Sequence, residues 1–129
     1  MYTIKSLFSA VSILFTMSAF AQQYQLLGPK EFEAKMKSQK GVLIDVRTPG
    51  EFKKGYIEGA QLMNIFNDDF ETRIDKLDKN QVYYVYCAVG GRSNECTDLM
   101  KKKGFKNIVE LEGGFNRWAK EKMPVALQK

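Results

Sequence analysis

The sequence has no histidine in its 129 residues, only two cysteines, Cys87 and Cys96, and a single tryptophan, Trp118. The missing histidine removes the cysteine–histidine dyad that a papain-like hydrolase needs. Two cysteines with no imidazole do not make a metal site either. Internal repeats, low-complexity tracts and linker-like stretches are also lacking, so nothing divides the chain into several domains. The net charge is mildly basic, +5 at pH 7, and scattered apart from Lys101-Lys102-Lys103. That triplet lacks the length and interleaved aromatics of a nucleic-acid patch. It reads as a solvated helix end, where cations complement the dipole. A mild positive field favours an anionic substrate.

Met1 to Ala21 reads as a secretory signal peptide: Lys5, a mostly apolar stretch from Leu7 to Met17, and the small-x-small sequence Ala19-Phe20-Ala21. The alternative, an uncleaved membrane anchor, is disfavoured by the short apolar run. No cysteine lies near Ala21, so a lipid anchor is not indicated. The expectation is export to the periplasm or beyond the cell, with no membrane attachment after cleavage. The remaining Gln22 to Lys129 is long enough for one domain with one core. Removing Met1–Ala21 takes away one lysine and no acid, lowering the charge from +5 to +4.

Along the mature segment, strands and helices alternate. Tyr24 to Leu27 is a short strand, and Pro29 opens a helix to about Gln39 with Phe32, Ala34 and Met36 inward. Val42-Leu43-Ile44-Asp45-Val46 is a continuous apolar strand ending in polar residues, as a buried parallel strand should be. Thr48-Pro49 starts a helical turn through Lys53, and Gln61 to Ile65 is another strand. Asn67-Asp68 caps a helix to about Leu77, with Phe70, Ile74 and Leu77 at helical spacing. Gly104 stops the helix that begins near Arg92. Asn107 to Leu111 is the last strand, and Gly113-Gly114 lead into a helix to about Lys122. This order predicts an α/β domain: a parallel sheet, helices on both faces, right-handed crossovers.

The chemistry is expected between Val82 and Ser93. An apolar, aromatic strand ends at Cys87, at the sheet edge where α/β domains place ligands. Ala88, Val89, Gly90 and Gly91 form a short loop, and Arg92 and Ser93 open an amphipathic helix. Such a loop turns successive main-chain N–H groups inward, at the positive end of a helix dipole. A cysteine at its mouth is favoured as the thiolate. The residues read as a nucleophile in an anion cradle, with Arg92 as an added cation.

These residues also carry a resemblance. Cys87-x-x-Gly90-x-Arg92-Ser93 resembles the active loop of single-domain rhodaneses. Asp45-Val46-Arg47 is similar to that family's Asp-Val-Arg segment, and Gly55-Tyr56-Ile57-Glu58-Gly59-Ala60 to its Gly-His-Ile-Pro-Gly-Ala segment. Gly104-Phe105 and the run from Leu111 to Trp118 resemble its closing motifs. The sequence departs from the family at Tyr56 and Glu58, which puts the local turn geometry in doubt. The loop also resembles that of cysteine phosphatases, but it is one residue shorter and has no preceding histidine. A tighter ring suits a single sulfur better than a tetrahedral phosphate.

The resemblance implies a rhodanese-like three-layer sandwich, with a mostly parallel central sheet flanked by helices. It implies a sulfurtransferase in which the Cys87 thiolate takes the outer sulfur of a small anionic donor such as thiosulfate. The persulfide then passes that sulfur to cyanide, a thiol or a protein acceptor, with no cofactor and no metal. Ala88 to Arg92 would supply N–H donors, and Ser93 would cap the helix or bond within the loop. Asp45 is expected to hold the loop, and Arg47 to pair with Glu51. Cys96 reads as packed core. Two other readings of the same residues are a non-enzymatic sulfur carrier that docks a partner, and a redox protein using Cys87 with Cys96.

Overall fold

The computed structural model describes residues 21–129, together with the isolated positions 3 and 12. The expected signal segment therefore lies almost wholly outside the described residues. Strands and helices alternate along the chain: β1 (Gln23–Leu27), α1 (Pro29–Ser38), β2 (Val42–Asp45), α2 (Pro49–Lys53), β3 (Gln61–Leu62), α3 (Phe70–Asp75), β4 (Val82–Tyr86), α4 (Gly91–Lys102), β5 (Asn107–Leu111) and α5 (Gly114–Lys120). Among the described residues no helix is long and apolar enough to cross a membrane.

The strands form one sheet in the order β1-β5-β4-β2-β3, and every neighbouring pair is parallel. β4 lies at the centre, and all five of its residues are buried. Period-two alternation sends its side chains into two different cores. Tyr83 and Val85, followed by Cys87, face Ile74, Cys96, Met100 and Phe105, the side covered by α3 and α4. Val82, Tyr84 and Tyr86 face Phe32 and Trp118, the side covered by α1 and α5. Helices cover both faces, so the α/β architecture is as expected, with the sheet parallel throughout.

Three local expectations need correction. Ala34 is exposed, because it sits two residues from Phe32 and so points away from the stripe set by Pro29, Phe32 and Met36. β3 ends at Leu62 instead of Ile65. Beyond it, Met63 and Ile65 donate irregularly to the carbonyls of Asp45 and Val46, at 2.8 and 3.1 Å. α3 begins at Phe70 after Asp69, not after Asn67-Asp68. Asn64 accepts the Phe66 N–H on its side chain at 3.0 Å, and this local turn competes with helix start.

α4 ends as read. Gly104 takes φ +86°, Gly104 N donates to Lys101 O, and Phe105 N donates to Met100 O, both at 3.1 Å. That is a Schellman closure, with Phe105 packed near Met100 beneath it. Lys103 then reaches across to α3, pairing with Glu71 and Asp75 at 2.9 and 2.6 Å.

Phe32 carries the packing of α1. It is fully buried and meets Tyr84 and Trp118 edge-on, at centroid distances of 5.5 and 6.3 Å. Phe32→Ala is expected to lower stability by about 3–5 kcal/mol, read as a lower urea midpoint at unchanged slope. An unchanged midpoint would show that this cluster does not hold α1.

Candidate active site

Cys87 is the first residue past β4, and none of its surface is exposed. The Gly90 N–H donates to its Sγ at 3.0 Å. Gly90 takes φ +123° at the N-cap of α4, a backbone state that side chains resist. Gly91 and Arg92 are the first residues of α4, whose N–H groups have no carbonyl within their own helix. The carbonyls of this turn point the other way. Cys87 O and Ala88 O accept from Phe115 N and Asn116 N in α5, at 2.8 and 3.0 Å. Gly114, at φ +64°, permits that approach, since a Cβ there would lie 2.5–2.6 Å from those two residues' backbone. The strand end is thus pinned from behind by α5 while an N–H points at the sulfur.

Ser93 lies against the sulfur from the helix side. The Cys87 thiol donates to Ser93 Oγ at 3.4 Å, and that hydroxyl faces both Gly90 O at 3.1 Å and Glu110 Oε2 at 2.7 Å. Ser93 therefore bonds within the loop and also to a residue of β5 that the sequence reading passed over. The signal for Glu110 was one acid inside the apolar run Ile108-Val109-Glu110-Leu111.

The two arginines are placed differently from expectation. Arg47 pairs with Asp45, not Glu51: Nε lies 3.0 Å from both Asp45 oxygens, and Nη2 lies 2.7 Å from Oδ2. Arg47 Nη2 also donates to Gly55 O at 2.7 Å, and its guanidinium lies over the rings of Phe115 and Tyr86, 4.3 and 5.5 Å from their centroids. The pair is buried beneath the site. Asp45 therefore holds Arg47, and Arg47 ties the ends of β2 and β4 to α5; no direct bond from Asp45 to the loop is found among the described residues. Burial, with the Asp45 charge nearby, pushes the Tyr86 phenol up, and its oxygen accepts the Ile57 N–H at 3.0 Å.

Glu51 belongs to Arg92 instead, in a two-pronged pair at 2.7 and 2.9 Å. Glu51 is also the third residue of a capping box with Thr48 at the start of α2. The Thr-x-x-Glu spacing was the signal for that role. The added cation of the loop is therefore neutralised, and Arg92 joins α4 to α2. Its guanidinium lies 5.8 Å from the ring of Phe66, which is 68% exposed, as Val89 of the loop is 67% exposed. The departures at Tyr56 and Glu58 leave an ordered turn. Tyr56 stacks on Phe52 at 4.2 Å and exchanges main-chain bonds with Ala126. Cys96 lies in the core with its Sγ 3.8 Å from Met100 Sδ, and burial pushes its thiol up to about 12. Both cysteines are free thiols.

A family model described as the rhodanese-like domain matches residues 28–121. The chain belongs to the rhodanese-like domain family. Similar proteins include MoeZ of Mycobacterium tuberculosis, a probable adenylyltransferase/sulfurtransferase, 35% identical over 83% of this chain but only 28% of that protein. The uncharacterized protein YqhL of Bacillus subtilis is 33% identical over 84% of this chain and 86% of its own length. Among solved structures, a rhodanese-related protein from Thermoplasma volcanium is 28% identical with a TM-score of 0.72, covering 81% of this chain and all of that one. A rhodanese-like domain protein from Staphylococcus aureus is 29% identical with a TM-score of 0.68, covering 81% and 99%. The rhodanese-like match spans every residue of the site described above, from Asp45 to Phe115.

Two predictions follow from the ion pairs of this rhodanese-like site. Asp45→Ala strands the Arg47 charge in the interior and is expected to lower stability by about 3–5 kcal/mol, read by urea unfolding. Full stability would show that Arg47 finds another partner. The Arg92 hydrogen bonds hold the Glu51 carboxyl down at about 2, against the effect of burial. A depressed value means that the pair stabilises above the ordinary carboxylate range and is lost as pH falls toward about 2. Glu51 is partly exposed, so the effect is small. The difference in urea midpoint between wild type and Glu51→Gln is expected to close on acidification, and a difference constant with pH would refute the pairing as its source.

Proposed function

We propose that this protein is a sulfurtransferase that carries sulfane sulfur as a persulfide on Cys87. The observation that carries this reading is the Gly90 N–H aimed at Sγ, at the start of a helix, within a rhodanese-like chain. Hydrogen bonds from the main chain favour the thiolate, which is the nucleophile. It attacks the outer sulfur of the donor; a Cys87 S–S bond forms, the donor's S–S bond breaks, and the leaving group departs with the electron pair. With thiosulfate the leaving group is sulfite. An acceptor, cyanide or a thiol, then attacks the outer sulfur and frees Cys87. Thiosulfate is the first donor to consider. The apolar Ala88 and Val89 already leave the mouth of the loop short of positive charge, and the pairing of Arg92 with Glu51 lowers it further. A donor of lower charge is therefore the next: an organic persulfide, whose S–S bond breaks in the same way, or 3-mercaptopyruvate, whose C–S bond breaks instead and whose leaving group is the enolate of pyruvate.

The exposed Phe66 and Val89 favour a second reading, a sulfur carrier that loads once and releases only to a protein partner. The redox reading is disfavoured by Cys96, whose buried thiol resists ionisation. The pattern from Met1 to Ala21 supports export as the setting for either activity.

The test compares the protein with Cys87→Ser, each incubated with thiosulfate and cyanide. Thiocyanate release and a mass gain of one sulfur atom are expected for the wild type, and neither for the variant. Mass gain without turnover would favour the carrier. Turnover retained in Cys87→Ser would sink both readings.

A further inference from the structure

Glu110 is a buried carboxylate whose partners are all neutral hydroxyls. It lies within β5, 2% exposed. Tyr24 of β1 donates to Oε1 at 2.6 Å, Thr97 of α4 donates to Oε1 at 3.0 Å, and Ser93 donates to Oε2 at 2.7 Å. Ser93 is the one of the three that also touches the nucleophile, accepting the Cys87 thiol at 3.4 Å. A serine has one proton to give. The Glu110 oxygen, at 2.7 Å, is nearer than Gly90 O at 3.1 Å, so it takes that proton and leaves the Ser93 lone pairs toward sulfur. A continuous path runs from Sγ through Oγ to Oε2.

We propose that Cys87 and Glu110 share a single proton through Ser93, which makes Glu110 a positioning residue for the sulfur chemistry. The proposal rests on the reading of Cys87 as the nucleophile. It is needed because Cys87 is fully covered and the chain has no imidazole; the thiol proton has neither solvent nor histidine beside it. In the resting state the thiol is protonated and the carboxylate is charged. For attack, the S–H bond breaks as an O–H bond forms at Ser93. The Ser93 proton moves to Glu110 Oε2, and the negative charge passes from carboxylate to sulfur. No oxidant or reductant takes part. When an acceptor removes the outer sulfur, the electron pair of the broken S–S bond stays on Cys87, and the proton returns by the same path. The buried site holds one negative charge at both ends of the cycle, so no net charge is desolvated.

The other charged or titratable groups around the pair do not compete. From β1, burial and Glu110 push the Tyr24 phenol up, and the Lys101 ammonium sits 3.5 Å from the centroid of its ring. From α4, the Cys96 thiol stays protonated by burial, Asp98 and Glu95 are exposed, and Arg92 is held by Glu51.

The test alkylates the full chain with iodoacetamide across the neutral range and follows the Cys87 peptide by mass spectrometry, with the Cys96 peptide as reference. Alkylation reports the thiolate without any sulfur donor. In the wild type the rate is expected to be independent of pH over about one unit or more, because the proton moves within the pair instead of to solvent. In Glu110→Gln that plateau is expected to vanish. The rate should then rise about tenfold per pH unit and overtake the wild type at the upper end, since the buried charge is gone. Tyr24→Phe removes a bond to the charged carboxylate, leaving it more basic. Its plateau is expected to rise about threefold or more. A wild type without a plateau, or a plateau retained in Glu110→Gln, would overturn the proposal. Should Glu110→Gln fail to fold, Tyr24→Phe decides: a raised plateau supports the shared proton and an unchanged one overturns it. A plateau in a protein that never loads a persulfide would count against sulfur transfer and not against the pair. Loading with no plateau would do the reverse. A Cys87 that never alkylates would overturn both, since both need a reachable thiolate.

Discussion

The structure depends on a strand that has no solvent face. β4 is flanked by β5 and β2 and covered by helices on both sides, so each of its five residues must pack. Its side chains feed two cores in alternation, and its main chain meets a polar environment only where the strand stops. That point is Cys87. The carbonyls at the buried end of the strand need partners, and here the solution is directional. α5 supplies N–H groups to the carbonyls of Cys87 and Ala88, through the gap that Gly114 leaves open. With the carbonyls held on that side, the turn presents the Gly90 N–H to the sulfur on the other. The geometry around the sulfur is thus a consequence of how a central parallel strand ends.

Charge is arranged around the sulfur without being spent on it. Arg47 and Arg92 both lie within the rhodanese-like match, yet each is bound to a carboxylate: Arg47 to Asp45 below the site and Arg92 to Glu51 beside it. Neither pair contributes much net stability: desolvation offsets attraction in the buried Asp45 pair, and solvent screens the partly exposed Glu51 pair. Their effect is geometric. Arg47 gathers the ends of β2 and β4, the Gly55 turn and Phe115 around one guanidinium. Arg92 clamps the start of α4 to α2. The sulfur is left with main-chain and hydroxyl hydrogen bonds, which have direction but no net charge.

Much of this was legible in the sequence, and the rest was hidden for definite reasons. The central strand, Cys87 at its end and the glycines after it could be read because an apolar run, a strand end and a helix start are local features. The same holds for Gly104, whose role depends only on the helix it closes. The partner of Arg47 differs from the one the resemblance implied, because Asp45 and Glu51 both lie within a few residues of it. The choice depends on the direction the chain takes at Val46, where it leaves the sheet. Ala34 faces solvent because its angle on the helix, two residues from Phe32, turns it away from the core, which its small apolar side chain does not reveal. Glu110 was passed over for a different reason. Its partners Tyr24, Ser93 and Thr97 come from β1 and α4, and only the strand order β1-β5-β4 brings them together. No local pattern carries that information.

The position of Glu110 bears on the absent histidine. Placing a carboxylate inside a strand is expensive by comparison with an apolar residue, and three hydroxyl bonds offset the desolvation without returning a surplus. A leucine at 110 would suit the neighbouring apolar residues Ile108, Val109 and Leu111 and would need none of Tyr24, Thr97 or Ser93 for company. Packing therefore gives no reason for an acid there. The geometry does, because one of the three hydroxyls is shared with Cys87. A histidine beside Cys87 would become a cation as it took the thiol proton, leaving an ion pair to be accommodated. An acid reached through serine takes the same proton and becomes neutral, so only one charge is ever present. In a site with no exposed sulfur surface and its arginines already paired, the second arrangement is the one the surroundings can tolerate.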